Sequence, residues 1–345
     1  MKREDNLMGV ICSMDNLIEA DRQARIGKTH RNGIDWFDKN REENLLELQR
    51  TMREGTYKTS KYNFFSIFEP KERKIASLPY YPDRICHHAV MRVVEQIFVP
   101  YYIKQTYSCI KGRGLHAGVT AVKEALKDEE GTKYCLKFDI RHFYPSIDHE
   151  ILKSIIRRKI GDERVLILMD EWIDSYDSGE TEGAIGDGRK GIPIGNYPSQ
   201  HFANLYLTPF DHWIKEVKKV KYYFRYADDI TIFGNDKEGL RRLFFEIRDY
   251  IEGKMLLRIK SNWQIFPVDA RGVDFLGYVF YHTHTKIRKK VKQNIKKKVV
   301  SCAKKGMSAK EIHKAVGSYQ GWLNYGNTRN LIHKLNTIGN GKVFK

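Results

Sequence analysis

The sequence predicts an α+β fold that combines an antiparallel sheet with helices, and three stretches carry that prediction. In Lys221 to Phe233, aromatic and β-branched residues are interrupted by Asp228-Asp229. In Lys133 to Asp148, a strand-like run ends near Asp139 and Pro145 stops it. In Lys286 to Ser301, the residues Ile287, Val291, Ile295 and Val299 recur every four positions, as on one face of a helix.

The elements follow in chain order. Residues 1–62 are polar and charged, and the spacing of Leu45, Leu46, Leu48 and Met52 predicts helices there. Tyr134 to Ile140 alternates as a half-buried strand does, and Ser146 to His149 reads as a helix start leading into Ile151, Leu152, Ile155 and Ile156. The Gly-rich loop from Gly179 to Gly191 formally matches a dinucleotide fingerprint at Gly186, Gly188 and Gly191. No clear strand precedes it, and Ile192-Pro193 follows in place of a helix, so the phosphate-cradling context fails. Paired Asp is depleted in strands and favours turns. Lys221 to Tyr226 and Ile230 to Phe233 therefore read as a hairpin with two carboxylates at its tip.

A solvated turn is the plain alternative for any Asp-Asp pair. The second acidic strand end, at Asp139, argues against it. If that strand lies beside the hairpin, three carboxylates converge. Magnesium binds through one or two carboxylates plus substrate phosphates. Two such ions about 4 Å apart activate an attacking hydroxyl and stabilise a leaving pyrophosphate. Zinc is not expected at Cys86-His87-His88, because adjacent residues rarely share one tetrahedral site.

Composition fits a nucleic-acid partner. Lys and Arg number 61 against 43 acidic residues, for a formal charge of +18. That excess attracts a phosphate backbone in a salt-sensitive way. No apolar run approaches the ~20 residues that span a bilayer, and Met-Lys-Arg-Glu-Asp-Asn lacks a signal-peptide core. Five cysteines without a CxxC pair suggest no disulfide framework. The expectation is an intracellular protein with no membrane partner. Lys286, Arg288, Lys289, Lys290, Lys292, Lys296, Lys297 and Lys298 lie in one run without an acidic residue. Their mutual repulsion would be relieved by a phosphate backbone along that face.

Taken together, these motifs resemble a known family. Phe138-Asp139-Ile-Arg-His-Phe-Tyr144-Pro-Ser-Ile-Asp148, followed 89 residues after Asp139 by Tyr226-Ala227-Asp228-Asp229, resembles the palm of a reverse transcriptase. Pro79 to Val99, with Asp83-Arg84 opening a helix, resembles an early fingers motif. Gly191 to Leu207 resembles the motif between the two acidic strands. Leu256 to Lys260 and Val273 to Tyr278 resemble the closing palm motifs, so the likeness runs from about Asn63 to Leu335.

The resemblance implies a right-hand polymerase with fingers, palm and a helical thumb. Residues 1–62 would be a helical extension, 63–285 fingers and palm, and 286–345 a basic thumb. The implied activity is RNA-directed DNA synthesis from deoxynucleoside triphosphates. Asp139, Asp228 and Asp229 would be catalytic and would hold two Mg2+ ions, with Mn2+ as an alternative. Tyr144 matches the aromatic gate against a ribose 2′-hydroxyl. Lys71 and Arg73 resemble the fingers residues that grip the triphosphate, where Arg offers bidentate contacts. Ile194, Gly195 and Gln200 would line the nucleotide and template, and Lys260 matches a basic position near the site. Lys286, Arg288, Lys289, Lys290, Lys292, Lys296 and Lys297 would track template RNA and cDNA.

One departure narrows the likeness. Most reverse transcriptases carry Gln-Gly-x-x-x-Ser-Pro in the middle motif, and this chain has Ile194-Gly195-Asn-Tyr-Pro-Ser199-Gln200. That variant, together with Gly317 to Leu331, resembles the enzymes of diversity-generating retroelements. In that group a bacterial or phage-encoded, cytoplasmic enzyme copies a structured template-repeat RNA with errors opposite adenine. It works with a small basic accessory variability determinant protein. Ile194 cannot make the polar contact a Gln makes, and a missing polar contact is worth on the order of 1–3 kcal/mol. Two other readings stay open: a phage-defence or abortive-infection reverse transcriptase with protein-primed or untemplated synthesis, and a catalytically silent RNA-binding scaffold.

Overall fold

The computed structural model describes residues 3–28, 32–68, 72–180, 183–186 and 188–345. The architecture is α+β with antiparallel sheets, as the sequence predicts. The strands are β1 (Asn63–Phe68), β2 (Glu72–Ser77), β3 (Tyr134–Asp139), β4 (Tyr222–Tyr226), β5 (Asp229–Gly234), β6 (Gln264–Pro267), β7 (Val273–Phe275), β8 (Tyr278–Phe280) and β9 (Thr285–Ile287). The chain divides into two compact units. One comprises Met1–Lys104, Ile140–Lys219 and Glu246–Lys260, and the other Gln105–Asp139, Val220–Phe245 and Ser261–Lys345.

The second unit holds a four-stranded sheet in the order β4-β5-β3-β6 and a three-stranded sheet β7-β8-β9. Side chains alternate across a strand. Cys135, Lys137 and Asp139 of β3 thus share one face, and Leu136 and Phe138 the other. On the latter face Phe138 meets Phe244 edge-on at 6.0 Å between ring centroids, and Phe244 stacks on Trp263 at 3.8 Å. Cys135, Phe224, Phe233, Phe275, Tyr278 and Phe280 close a core with Val119 and Val122 of the Leu115–Ala125 helix. Ile295, Val299 and Cys302 of the Lys289–Lys304 helix complete it.

That last helix differs from the expectation at its start. Ile287 belongs to β9, where it pairs with Tyr278 while Lys286 pairs with Val279. Strand pairing satisfies their backbone groups, so the helix begins at Lys289 and its stripe runs through Val291, Ile295, Val299 and Cys302. Trp322 stacks on Tyr278 at 5.5 Å, and Tyr325 stacks on His116 at 4.3 Å.

The first unit is mainly helical, with Met14–Ala24 and Tyr197–His212 each packed on Ile85–Phe98. In Arg41–Glu54, Leu45, Leu48 and Met52 are buried while Leu46 faces outward, 49% exposed. A helical face takes positions three and four apart and leaves an immediate neighbour outside. Two buried carboxylates tie the helices together. Asp21 meets Arg25 and Arg41, and Asp83 accepts from Tyr57 Oη at 2.7 Å and Ser60 N at 3.0 Å. Cys86 and His87 are buried in the Ile85–Phe98 helix, with the His87 ring edge-on to Trp172 at 4.6 Å. The β1–β2 hairpin projects Phe64, Phe65 and Phe68 into solvent.

Candidate active site

The carboxylates are positioned by strand register. β3 and β5 run antiparallel, with Asp139 directly opposite Asp229, while Tyr226 pairs with Asp229 across the hairpin. Ala227 and Asp228 are therefore the two turn residues. Such a turn requires positive φ at its first position, and Ala227 adopts φ 53°. Holding a residue with a Cβ there costs on the order of 1 kcal/mol. The neighbouring Arg225 supports it, being fully buried and donating from Nη1 to Ala227 O at 3.1 Å. The Arg225 backbone is bonded on its far side too, its N–H donating to Gln105 O and its carbonyl accepting from Tyr107 N–H.

Lys137 is a member of this site that the sequence reading passed over. It lies two residues before Asp139 and so on the same face of β3. Its Nζ donates to Asp229 Oδ1 at 2.6 Å and sits 5.0 Å above the Phe275 ring. Spacing of two from an acidic strand end was the available signal. Burial pushes the Asp229 carboxyl up to about 6; Lys137 opposes this, while the charges of Asp139 and Asp228 add to it. A cavity of about 420 Å³ opens on the same face, lined by Lys137, Asp139, Asn262, Gln264, Arg271 and Asp274 among others.

The donor chemistry suits a hard divalent cation: Asp139 and Asp229 are paired across the strands and Asp228 stands in the adjoining turn. Among the described residues, however, no three His, Cys, Asp or Glu side chains are gathered into one metal-holding group. Asp229 is turned to Lys137 instead.

The remaining expected site residues lie in the other unit, apart from the basic run. Ile194 and Gly195 form a turn held to the β1–β2 hairpin by Ala76 N–H, which donates to Ile194 O at 2.9 Å. Gly195 has φ +120°, and a Cβ there would meet Ile75 Cγ2 at 2.8 Å. Gln200 is exposed in the first turn of Tyr197–His212 and shares a cavity of about 240 Å³ with Gly195, Lys28, Arg84, His88 and Tyr197. Burial holds His87 down at about 3 and His88 at about 4, so both rings are neutral at physiological pH. Tyr144 is half-buried in the one-turn helix Phe143–Ser146, its ring edge-on to Phe143 at 5.8 Å. Lys260 is half-buried, next to Ile259, which bridges to Ile140. Arg73 is exposed on β2 opposite Ile67, and Lys71 lies outside the described residues.

Of the basic run, Lys286 is exposed on β9, with Nζ 4.7 Å over the Tyr281 ring, and Arg288 pairs with Asp274. Lys289, Lys290, Lys292, Lys296 and Lys297 are exposed on the Lys289–Lys304 helix. The apolar stripe turns inward, so these lysines form the outward face.

The reverse transcriptase (RNA-dependent DNA polymerase) family matches residues 61–280. The chain belongs to this family. Its enzyme class is RNA-directed DNA polymerase. The reverse transcriptase is 23% identical over 318 residues to Protein YkfC of Escherichia coli (strain K12), covering 80% of this chain and 83% of that protein. It is 25% identical over 184 residues to the group II intron-encoded protein LtrA of Lactococcus lactis subsp. cremoris, covering 51% of this chain and 29% of LtrA. Apo telomerase from Candida Tropicalis shares the fold, with a TM-score of 0.52 at 12% identity, over 81% of this chain and 57% of the telomerase chain. The reverse transcriptase thus spans most of YkfC, but under a third of LtrA and under two thirds of the telomerase chain. Among its described residues no helix is long and apolar enough to cross a membrane.

Proposed function

We propose that this reverse transcriptase copies a structured template RNA into cDNA for a diversity-generating retroelement, with relaxed fidelity opposite adenine. The observation that carries the polymerase chemistry is the register that sets Asp139 opposite Asp229, with Asp228 in the adjoining turn. The retroelement reading rests on the middle motif, where Ile194 stands in place of the usual Gln and Gln200 follows Ser199.

In this reading Asp139, Asp228 and Asp229 are the catalytic carboxylates and hold two magnesium ions, with manganese as an alternative. Bound metal supplies charge neutralisation and activation of the primer hydroxyl. The residues of the chain provide positioning and a preorganised field, the two terms on which phosphoryl transfer depends. Lys137 compensates Asp229 before metal arrives. Tyr144 closes the nucleotide position to a 2′-hydroxyl, and Arg73 with Lys71 grips the triphosphate. Ile194, Gly195, Gln200 and Lys260 border the nucleotide. The lysines from Lys286 to Lys297, with Arg288, follow the RNA–cDNA duplex as part of a thumb spanning 286–345. Residues 63–285 act as fingers and palm, and 1–62 as an N-terminal extension. The partners are template RNA, deoxynucleoside triphosphates and a small basic accessory protein, for a cytoplasmic enzyme that is bacterial or phage-encoded.

Primer extension on an RNA template tests both levels. Asp228→Asn should abolish incorporation while circular dichroism stays unchanged, and retained synthesis would refute the carboxylate assignment. Ile194→Gln should lower misincorporation opposite adenine selectively. An unchanged error spectrum would remove the retroelement reading and leave RNA-templated DNA synthesis without that specialisation.

A further inference from the structure

A one-turn helix leaves most of its carbonyls without partners inside itself, and Phe143–Ser146 is such a helix. Its Ser146 N–H donates back to His142 O at 2.9 Å. The carbonyls around Tyr144 are taken by a segment distant in sequence. Ile192 N–H donates to Tyr144 O at 3.0 Å, and Gly191 N–H to Ile147 O at 2.7 Å. Between them, Ser178 Oγ donates to Pro145 O at 2.7 Å. That segment is closed on itself, because Ser178 N–H donates to Lys190 O at 2.9 Å.

The same loop presses on the start of the turn. His142 enters it with φ 42°, a left-handed conformation, and its Nδ1 meets Glu180 Oε2 at 2.8 Å. At Gly183 an added Cβ would lie 2.7 Å from His142 Cβ, 2.8 Å from Ser146 Oγ and 3.0 Å from Arg141 O. A single helical turn has no stability of its own. The conformation at Tyr144 is therefore imposed by this loop.

We propose that Ser178 and Gly183 are positioning residues, which orient Tyr144 and thereby set discrimination between deoxyribo- and ribonucleotides. The proposal rests on the reading of Tyr144 as the sugar gate. Neither residue need touch the nucleotide. Ser178 fixes the carbonyl that follows Tyr144, and Gly183 permits the approach of the loop to the turn.

The test is single-nucleotide incorporation by the full chain, comparing kcat/KM for a deoxynucleotide and the matching ribonucleotide. Ser178→Ala should reduce the preference for deoxynucleotides about three- to tenfold, the size of one lost hydrogen bond. Its deoxynucleotide kcat should stay within about twofold of the wild type. Ser178→Thr, which keeps the hydroxyl, should restore the preference. Gly183→Ala should lower it at least as far and raise the deoxynucleotide KM. Should Gly183→Ala fail to fold, the Ser178→Ala and Ser178→Thr pair decides. Wild-type discrimination in Ser178→Ala, alongside a Tyr144→Ala variant that has lost it, overturns the positioning role and leaves the gate standing. Unchanged discrimination in Tyr144→Ala refutes the gate, and this proposal with it.

Discussion

Replacing Asp229 by Asn should make the metal-free protein more stable while weakening its response to metal. The Asp229 carboxyl stands at about 6, against an ordinary value of 3.8, because burial and the charges of Asp139 and Asp228 outweigh Lys137. A shift of that size corresponds to up to about 3 kcal/mol against the folded anion at neutral pH. The side chain retains 28% exposure, and solvent screening reduces the figure to about 1–2 kcal/mol.

The sign follows from proton counts. Between about pH 4 and 6 the folded state holds the Asp229 proton more tightly than the unfolded state does. This group's contribution to stability is thus complete below pH 4 and is lost as pH rises through 6. Asn removes the charge yet keeps an oxygen for Lys137 Nζ. In EDTA at pH 7.5 the variant should melt about 2–8 °C above the wild type, at about 2–4 °C per kcal/mol, and the gap should close towards pH 4. Adding magnesium should raise the wild-type melting point, since a ligand of the native state stabilises it, and should raise the variant's much less. A variant less stable than wild type at pH 7.5, or a gain that persists unchanged at pH 4, would refute the argument.

Three further outcomes are expected. Gly195→Ala places a Cβ 2.8 Å from Ile75 Cγ2 at φ +120°. Urea unfolding should show a loss of about 1–3 kcal/mol, with a raised deoxynucleotide KM as the turn pulls away from β2. Buried His87 is held at about 3 and His88 at about 4, both first of all by burial. The unfolded chain takes up those protons below about pH 6.5 while the folded one refuses them. Stability should therefore fall on acidification, by about 2 kcal/mol at pH 5 from His87 alone, and His87→Gln should flatten that limb of the denaturation profile. Finally, Lys296→Gln with Lys297→Gln should weaken binding to an RNA–DNA duplex and lower the slope of log affinity against log salt by about 2. An unchanged slope would detach this helix face from the phosphate backbone.

Much of the site was legible in local pattern. Aromatic and β-branched flanks around Asp228-Asp229 dictate strand, turn and strand, and the observed strands Tyr222–Tyr226 and Asp229–Gly234 follow them closely. The run ending at Asp139 read as a strand because its apolar positions alternate. The basic helix was legible as well, since Val291, Ile295 and Val299 mark an inward stripe and leave the lysines outside. Its first residues were misread. Ile287 lies at helical spacing from Val291, and nothing local says that β8 will take it as a strand partner.

Nearest-neighbour chemistry alone thus determined the hairpin, its acidic tip, the strand into Asp139, the excess of positive charge and the altered middle motif. Tertiary structure decided which residues those elements face. It set Asp139 opposite Asp229, turned Lys137 onto that carboxylate, and buried Arg225 behind the strained Ala227 turn. It also brought Ser178, Gly191 and Ile192 to the carbonyls around Tyr144. The physical reason is the same in each case. A turn or an amphipathic face is settled by residues a few positions apart, whereas strand register and the pairing of buried polar groups are settled by which distant segments exclude water together.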